Sequence, residues 1–504
     1  MTSSSSIPIH DDLLEMVLSA LPAADFARAS CVSRSWRRLC DRALHRRGPR
    51  LVSYVSVKPN IKDAVLEAID GVFSEPMRPH FAIACIDGTD GLEIAHSLVR
   101  AKLGGNVPLI TCKNLGFTGC DSVSKEVKEI PYVEVGHGIL LIVGFLPGLN
   151  VDVIPLLNAK KEALRETVVD SFINEIKSCT GLVSDHAFPT GVIMFSDFNA
   201  DIRFMLEQMD QSLNGGTPIA GGKTECFIFS NGDGSRSGGS VSLLSLEQRR
   251  LRNRRQANQS DAFDAVALVF ARHRIRPHGV GEIHFNLALS SGLLPIGSMY
   301  KASSVRVINN GPCRCTTRLT ARREGSSLEL DGERLMLDFV NEVESAHLNT
   351  DIYIGVTKER KQLTQSNTSF AIHEVICNDE HLDVNGRGIH TGDTFCFYTP
   401  DSETALTSRS KAFEKLGPPE HRGTNIQAFG GLIFGCCGRD RYFLGEAASD
   451  CMAFVEKFPG VPLGGMLFCG EIARRPVDGE NPLCRPQSLL NFYTTVYLLM
   501  SYAP

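Results

Sequence analysis

The stretch IHDDLLEMVLSALPAADFARASCVSRSWRRLCDRAL (residues 9–44) decides how the chain begins to fold. Leu13, Val17 and Leu21 recur every four residues, which predicts a helix with one apolar stripe. Pro22 ends that helix. A second helical pattern follows, and its apolar face is carried by Phe26, Ala29, Val32, Trp36 and Leu39. Asp12 with Glu15 resembles a capping box for the first helix, and Asp25 can cap the second.

This helical unit needs another surface to be stable. It has only about 40 residues, and units of that size rarely bury enough apolar area to fold alone. The surface could be the rest of the same chain, on which the helices would dock as a hairpin, or it could be a partner. The arginines around Trp36, which is the only tryptophan of the chain, could also suggest nucleic acid, but a solvated helix face is the simpler interpretation.

The order of residues in this unit resembles the F-box motif. The motif has an apolar–Pro–x–Glu–Leu start, Ile-Leu-x-x-Leu, an acidic–Leu pair and Val-x-x-x-Trp; here His10 replaces the proline, and VSRSW replaces Val-Cys-Lys-x-Trp. The resemblance implies binding to the Skp-type adaptor of a cullin ubiquitin ligase complex. The residues that would bind are Ile9, Leu13, Val17, Leu18, Leu21, Phe26, Val32 and Trp36. Trp36 would close the small core while the arginines stay in water.

Composition sets the class of protein. A chain of 504 residues with 43% apolar and 22% charged residues predicts a globular protein of two to four domains. The net charge of −5 does not favour nucleic-acid binding, and the longest apolar run, GILLIVGFLPG (138–148), suits a buried strand rather than a membrane span. The start of the chain does not read as a secretory signal. We therefore expect the 16 cysteines to be reduced thiols in the cytoplasm and/or nucleus, with no structural metal.

The rest of the chain repeats a loose strand–helix–Pro–strand pattern. The pattern occurs near residues 80–116, 190–230 and 430–473 and predicts β-α-β units in a layered α+β structure with buried, apolar strands. Leucine-rich, kelch and WD periodicities are not visible. The Gly-, Ser- and Arg-rich stretch 230–261 predicts a flexible insertion, in which RRLRNRR (249–255) could be a nuclear-import signal but is more simply a solvated linker.

The final pattern resembles the C-terminal part of a FIST domain. That family carries a Cys-x-Gly-Arg stretch, an apolar–Pro–apolar–x–Gly strand and a Gly-Glu-Ile turn, which appear here in GLIFGCCGRDR and VPLGGMLFCGEIA. The resemblance implies an F-box at 5–48, an N-terminal FIST region at 50–309 and a C-terminal FIST region at 310–504 with mixed sheets. FIST domains are proposed to bind small ligands such as amino acids.

Catalytic patterns are missing from the sequence. GGTPIAGGKT (215–224) approaches a phosphate-binding loop, but its spacing is wrong and a helix precedes it. Neither a G-x-S-x-G elbow nor H-E-x-x-H occurs. We therefore expect a non-catalytic protein that needs no cofactor. The F-box resemblance implies that it is the substrate receptor of an SCF-type ubiquitin ligase, with an unidentified protein target. The alternative is a sensor of a small, amino-acid-like ligand.

One small polar site is predicted near the C-terminus. Arg439 follows one predicted strand, and Gly470 and Glu471 follow its neighbour, where ligands of αβ proteins often bind. Arginine suits a carboxylate, glutamate suits an ammonium group, and Gly470 allows close approach of the backbone. The competing interpretation is an Arg439–Glu471 ion pair that only ties two turns together.

Overall fold

The structure is a computed structural model of the chain. It describes residues 10–504 apart from 88–90, 121–125, 132–136, 159–164, 214–215, 233–235, 241–261, 276–279, 310–314, 344–350, 363–364, 378–379, 418–425, 446–448 and 475–487. Ile9, the basic run 249–255 and most of the predicted insertion at 230–261 lie outside the described residues. No helix within the described ranges is long and apolar enough to cross a membrane.

The N-terminal segment folds into helices α1 (Asp11–Ser19), α2 (Ala23–Ser30) and α3 (Arg34–Arg46). The helical prediction is confirmed, but its caps were wrong. His10 caps α1, with its Nδ1 accepting the Asp12 N–H at 3.4 Å. The single helix predicted after Pro22 divides in two because Ser33 caps α3, its Oγ accepting the Trp36 N–H at 3.1 Å.

The rest of the chain begins with β1 (Arg50–Lys58), directly after α3, and is a mixed αβ structure. Its helices are α4 (Ile61–Val72), α5 (Leu92–Leu103), α6 (Arg165–Val183), α7 (Arg203–Ser212), α8 (Gly332–Glu342), α9 (Ser402–Lys415), α10 (Arg441–Leu444) and α11 (Asp450–Lys457).

The largest sheet, sheet A, runs in the order β1-β6-β2-β3-β10-β11-β12-β8-β9-β23-β24, with β7 beside β12. Its further strands are β2 (Phe81–Ile86), β3 (Leu109–Lys113), β6 (His137–Phe145), β7 (Leu149–Leu157), β8 (Gly191–Asp197), β9 (Ile219–Thr224), β10 (Cys226–Ser230), β11 (Ser237–Ser240), β12 (Ala262–Arg272), β23 (Glu471–Arg474) and β24 (Ser488–Asn491).

Sheet B runs in the order β13-β25-β21-β22-β4-β5. Its strands are β4 (Gly116–Cys120), β5 (Val127–Pro131), β13 (Glu282–Ser291), β21 (Gln427–Cys436), β22 (Leu463–Phe468) and β25 (Thr494–Ala503).

Sheet C runs in the order β14-β20-β17-β18-β19-β15-β16. Its strands are β14 (Leu293–Asn309), β15 (Cys315–Arg323), β16 (Glu329–Leu330), β17 (Tyr353–Gln362), β18 (Gln365–Cys377), β19 (Leu382–Asn385) and β20 (Thr394–Pro400). Helix α8 packs on sheet C through Leu335 and Phe339.

The predicted β-α-β units are confirmed by parallel strand pairs. β2 pairs with β3, β8 with β9 and β21 with β22, each pair being joined by a connection that contains a helix. The central strands are apolar throughout because both of their faces are covered, as in β2, where all six residues are buried.

Sheets A and B face each other across the main core. Phe81 and Ile83 of sheet A and Phe434 and Met466 of sheet B belong to the same buried cluster. Helices α4 to α7 cover the outer face of sheet A, and α9 and α11 cover the outer face of sheet B. The α+β class and the layers with mixed sheets are therefore as the sequence predicted.

The two predicted FIST regions are not separate in space. Sheet A contains β23 and β24 as well as strands before residue 309, and sheet B pairs β22 with β4. The predicted boundary at 309/310 falls at the end of β14, which pairs antiparallel with β15. The division at 309/310 thus stays a prediction from sequence resemblance.

Candidate functional sites

Helix α1 divides its apolar residues between the core and the surface. Leu18 is 1% exposed and belongs to the helical core, whereas Leu13, Met16 and Val17 are 58%, 69% and 60% exposed. Residues 13, 16 and 17 are spaced i, i+3 and i+4, so they share one face of the helix. We call Leu13, Met16 and Val17 the α1 stripe. Large apolar side chains grouped on a surface mark an interaction site.

The predicted adaptor-binding residues fall into two groups. Val32, between α2 and α3, is 64% exposed, in common with Leu13 and Val17. Leu18 and Phe26 are buried, and Leu21 and Trp36 pack partly buried against the same cluster. Among the described residues, the first group is the most accessible for direct contact, and the buried Leu18 and Phe26 stabilise the helices that present it.

The side chains around Trp36 are arranged as the sequence predicted, with the tryptophan in the core and the arginines in water. The Trp36 side chain packs against the helical core, while Arg34, Arg37 and Arg38 are exposed. One charge is an exception: Glu15 is only 3% exposed. Its carboxylate pairs with Arg46 at 3.0 Å and with Arg42 at 3.5 Å, which joins α1 to α3. The buried carboxylate is therefore compensated by two arginines.

The helical unit is docked on the body of the protein. Phe145, at the end of β6, belongs to the same buried cluster as Leu18, Phe26 and Leu44. The rings of His45 and His80 pack against Phe145 with centroids at 6.1 and 4.9 Å. This contact fixes the direction in which the α1 stripe faces relative to the sheets.

The Arg439 side chain is buried and forms hydrogen bonds inside the protein. Its guanidinium donates to both Asp450 carboxylate oxygens at 3.0 and 3.1 Å, and to Ser290 Oγ at 3.0 Å. The Arg439 side chain is 1% exposed. Burial favours a higher pKa for Asp450, but the Arg439 guanidinium outweighs it and holds that pKa below its ordinary value. The ion pair here is thus Arg439–Asp450, and the sequence indicated no role for Asp450.

Glu471 is also buried, and the hydrogen bonds of its carboxyl group in the described part of the chain come from backbone N–H groups. Its carboxyl oxygens accept the backbone N–H groups of Gly470 at 3.3 Å and Thr494 at 3.2 Å. Burial raises the pKa of Glu471 well above its ordinary value, so the neutral form is favoured. Ligand binding by Arg439 and Glu471 stays a prediction. Gly470 differs from both because it lines a cavity.

This cavity has a volume of about 550 Å³ and lies where parallel strands end. Asn199 follows β8, Lys223 lies near the end of β9, Cys437 follows β21 and Gly470 follows β22. Residues of β15, β17, β18 and β19 close the opposite side. Ligand sites of this size are typical of the carboxyl ends of αβ sheets. We call it the strand-end cavity.

The strand-end cavity combines charged groups, thiols and aromatic rings. Lys223 and Arg203 are its cations, and Asp201, Asp351 and Glu374 are its carboxylates. The Sγ atoms of Cys437 and Cys469 lie 3.2 Å apart in its wall. The Tyr353 ring packs near those of Phe492 and Tyr493, with centroids at 5.2 and 6.1 Å. Sequence reasoning missed these residues, although Lys223 belongs to the GGKT segment whose loop-like spacing was rejected; the segment lies on β9.

Within the residues that the structure describes, no group of His, Cys, Asp and Glu side chains is arranged to hold a metal ion.

The packed helices that expose an apolar face ahead of the larger body belong, by comparison with known proteins, to the F-box class. The F-box-like family matches residues 11–48. The chain is 32% identical to the F-box/LRR-repeat protein At5g63520 of Arabidopsis thaliana over 515 aligned residues, which cover 98% of this chain and 93% of that protein. The chain therefore belongs to the F-box protein family of that relative.

A bacterial relative matches a shorter part of the chain. The Uncharacterized protein Rv0628c of Mycobacterium tuberculosis is 27% identical over 211 residues, or 39% of this chain and 52% of that protein. The name of the Arabidopsis relative includes leucine-rich repeats. In the described part of this chain, the strands form mixed sheets instead of the stacked single-strand repeats of that architecture.

Proposed function

We propose that this protein is the substrate-recognition subunit of an SCF-type cullin-RING ubiquitin ligase. Its F-box would bind the Skp-type adaptor. The observation that carries the proposal is the α1 stripe, because Leu13, Met16 and Val17 are exposed on a helix whose other apolar face is already buried. An apolar surface of this kind gains free energy when a partner covers it.

The αβ region would bind the protein target. Its β-α-β pairs at 81–113, 191–224 and 427–468 support the resemblance to a FIST region. The target is unidentified.

The docking of the F-box on the body gives this arrangement a mechanism. The helical core shares Phe145 with β6, and Asp41 of α3 pairs with Arg78 at 3.6 Å. A target held on the body would thus be kept at a defined position relative to the ligase, which makes ubiquitin transfer effectively intramolecular. We propose that the protein contributes by tethering, without catalytic residues or a cofactor of its own, in the cytoplasm and/or nucleus.

Co-purification of the full-length chain tests the proposal. Expressed in cells, it should retain the Skp-type adaptor and the cullin subunit, and proteins that bind its body should accumulate when the chain is removed. Absence of the adaptor from the purified chain would end the ligase proposal. If the chain retains the adaptor but no bound protein accumulates after its removal, adaptor binding by the F-box would be supported and target recognition by the body would be refuted.

The strand-end cavity favours a second candidate function, the sensing of a small amino-acid-like ligand. The cavity offers cations and carboxylates together with the aromatic wall around Tyr353. A zwitterion with an apolar side chain suits such a lining. A panel of amino acids should then include at least one that raises the melting temperature of the full-length chain, since a ligand that binds only the folded state stabilises it. A panel without effect would refute this candidate.

A further inference from the structure

The strand-end cavity has a cationic end. Arg203 is the first residue of α7, and Lys223 lies on the neighbouring β9. The Arg203 side chain lies along Gly386, where φ is +90° and where an added Cβ would come within 2.9 Å of Arg203 Nε. The two cations are close enough that Arg203 contributes to lowering the pKa of Lys223. The fold therefore places both cations on one side of the cavity, where the Asp201 carboxylate interacts with each of them.

The carboxylates of the cavity have partners of their own. Asp201 pairs with Arg165 at 3.5 Å, Glu374 accepts Asn385 Nδ2 at 3.2 Å, and Asp351 accepts the Tyr493 hydroxyl at 3.0 Å. Asp201 is also the acceptor of the Cys315 thiol at 3.4 Å. Asp201 also interacts with Arg203 and Lys223, so its single negative charge is shared among three cations, Arg165, Arg203 and Lys223.

Lys223 is held where water solvates it poorly. Its ammonium donates to the Ala200 carbonyl at 2.9 Å and lies 5.9 Å from the Phe198 ring centroid. Burial lowers the pKa of Lys223 to about 8. A poorly solvated cation gains more from a bound anion than an exposed one does. The N-terminus of α7 lies at the same place, where Asp201 Oδ1 accepts the Arg203 N–H at 3.4 Å.

We propose that the strand-end cavity binds a small organic anion, with its carboxylate or phosphate group between Arg203 and Lys223 and its flat apolar body against Tyr353 and Phe492. This inference rests on the second candidate function and deepens it, because it names the end of the cavity that holds the anionic group. An arginine and a lysine together give charge-assisted hydrogen bonds to either type of anion.

Binding to the full-length chain tests the inference with matched probes. Phenylacetate supplies a carboxylate, phenyl phosphate supplies a phosphate, and benzyl alcohol supplies the ring without charge. We expect at least one anion to raise the melting temperature and to give a measurable dissociation constant by calorimetry, while benzyl alcohol does neither. The stronger of the two anions identifies the head group. Equal binding of benzyl alcohol, or binding of neither anion, would overturn the inference.

Substitutions locate the anionic group. Arg203→Gln and Lys223→Gln should each weaken the anion at least tenfold, whereas the charge-preserving Lys223→Arg should keep much of the affinity. Arg322→Gln is the control, since Arg322 is on β15, as are Cys315 and Thr316 of the cavity, but does not line it. Unchanged affinity in both Gln variants, checked for an unchanged melting temperature without ligand, would overturn the inference.

Phenylalanine separates this inference from the sensor candidate. If phenylalanine binds and both Gln variants weaken it, the sensor and the anion end are both supported. If phenylalanine binds equally to the wild-type chain and both variants, the sensor stands and the assignment of the cationic end is wrong. The ligase proposal is independent of either result because its test is adaptor capture.

Discussion

The α1 stripe can be removed without removing the F-box fold, and this separates binding from folding. Leu13 and Val17 are 58% and 60% exposed, so their truncation to alanine should cost the free protein little. Complete burial of such a side chain is worth about 1.5–3 kcal/mol. Covering the exposed part in a complex should therefore be worth about 1–2 kcal/mol for each residue.

The double variant Leu13→Ala/Val17→Ala should thus lose about 2–4 kcal/mol of adaptor binding free energy. Because each 1.4 kcal/mol is about tenfold, the dissociation constant should rise roughly 30- to 1,000-fold. Calorimetry or surface plasmon resonance with the purified Skp-type adaptor measures this directly. The melting temperature of the variant alone should remain within a degree or two of the wild-type value, on the order of what surface substitutions cause.

Two controls make the result interpretable. Leu66→Ala removes a leucine that is 49% exposed on α4, outside the F-box, and should leave adaptor binding unchanged. Leu18→Ala removes a core leucine and should destabilise the helical unit by about 2–5 kcal/mol, so that binding is lost together with folding. A dissociation constant of the double variant within threefold of the wild-type value would refute the assignment of the α1 stripe.

Further predictions concern the interior. Asp450→Asn leaves the buried Arg439 unpaired and should cost about 3–5 kcal/mol in urea unfolding, whereas Asp185→Asn breaks only an exposed pair and should cost little. Gly221→Ala would place a Cβ 1.8 Å from the Met194 carbonyl oxygen and should destabilise by about 1–3 kcal/mol or more, while Gly105→Ala, with open space around it, should not; their melting temperatures decide this. Burial lowers the pKa of His96 to about 4. The unfolded chain, with a His pKa of about 6.5, then binds more protons between those values, so stability should fall as pH falls from 6.5 to 4, and His96→Asn should flatten that slope in unfolding measurements.

The helical unit shows what its sequence pattern could and could not predict. The four-residue recurrence identified α1, and the position of Pro22 identified its end. It did not identify which apolar face is buried, because α1 has two: Leu14 and Leu18 face the core, while Leu13 and Val17 face outward. A helix with apolar residues on adjacent faces has no single stripe, and only the positions of α3 and Phe145 decide which one is covered.

The β-α-β units were predictable because their signals are local. An apolar run, a helical pattern and a proline before the next run lie within about 30 residues of one another, as such units require. The pairing of β22 with β4 and of β23 with β9 joins segments hundreds of residues apart. The local sequence of a strand does not indicate which distant strand it pairs with. The local pattern therefore predicted the layered fold class but could not predict the order of the strands in the sheets.

The candidate site shows the same limit at the level of side chains. The rule that ligands bind at the carboxyl ends of parallel strands led to the ends of β21 and β22, and a cavity does lie there. The rule does not say which side chain turns toward the cavity. The side chains of neighbouring residues at a strand end point to opposite sides. A shift of one position therefore decides whether a side chain faces the protein interior or the cavity. Gly470 borders the cavity while Glu471, one residue later, is buried behind it, and Arg439 turns to Asp450. The cations that face the cavity, Lys223 and Arg203, come from the β8–α7–β9 unit more than 200 residues earlier. They could therefore be recognised only once the sheets had brought both sets of strand ends together.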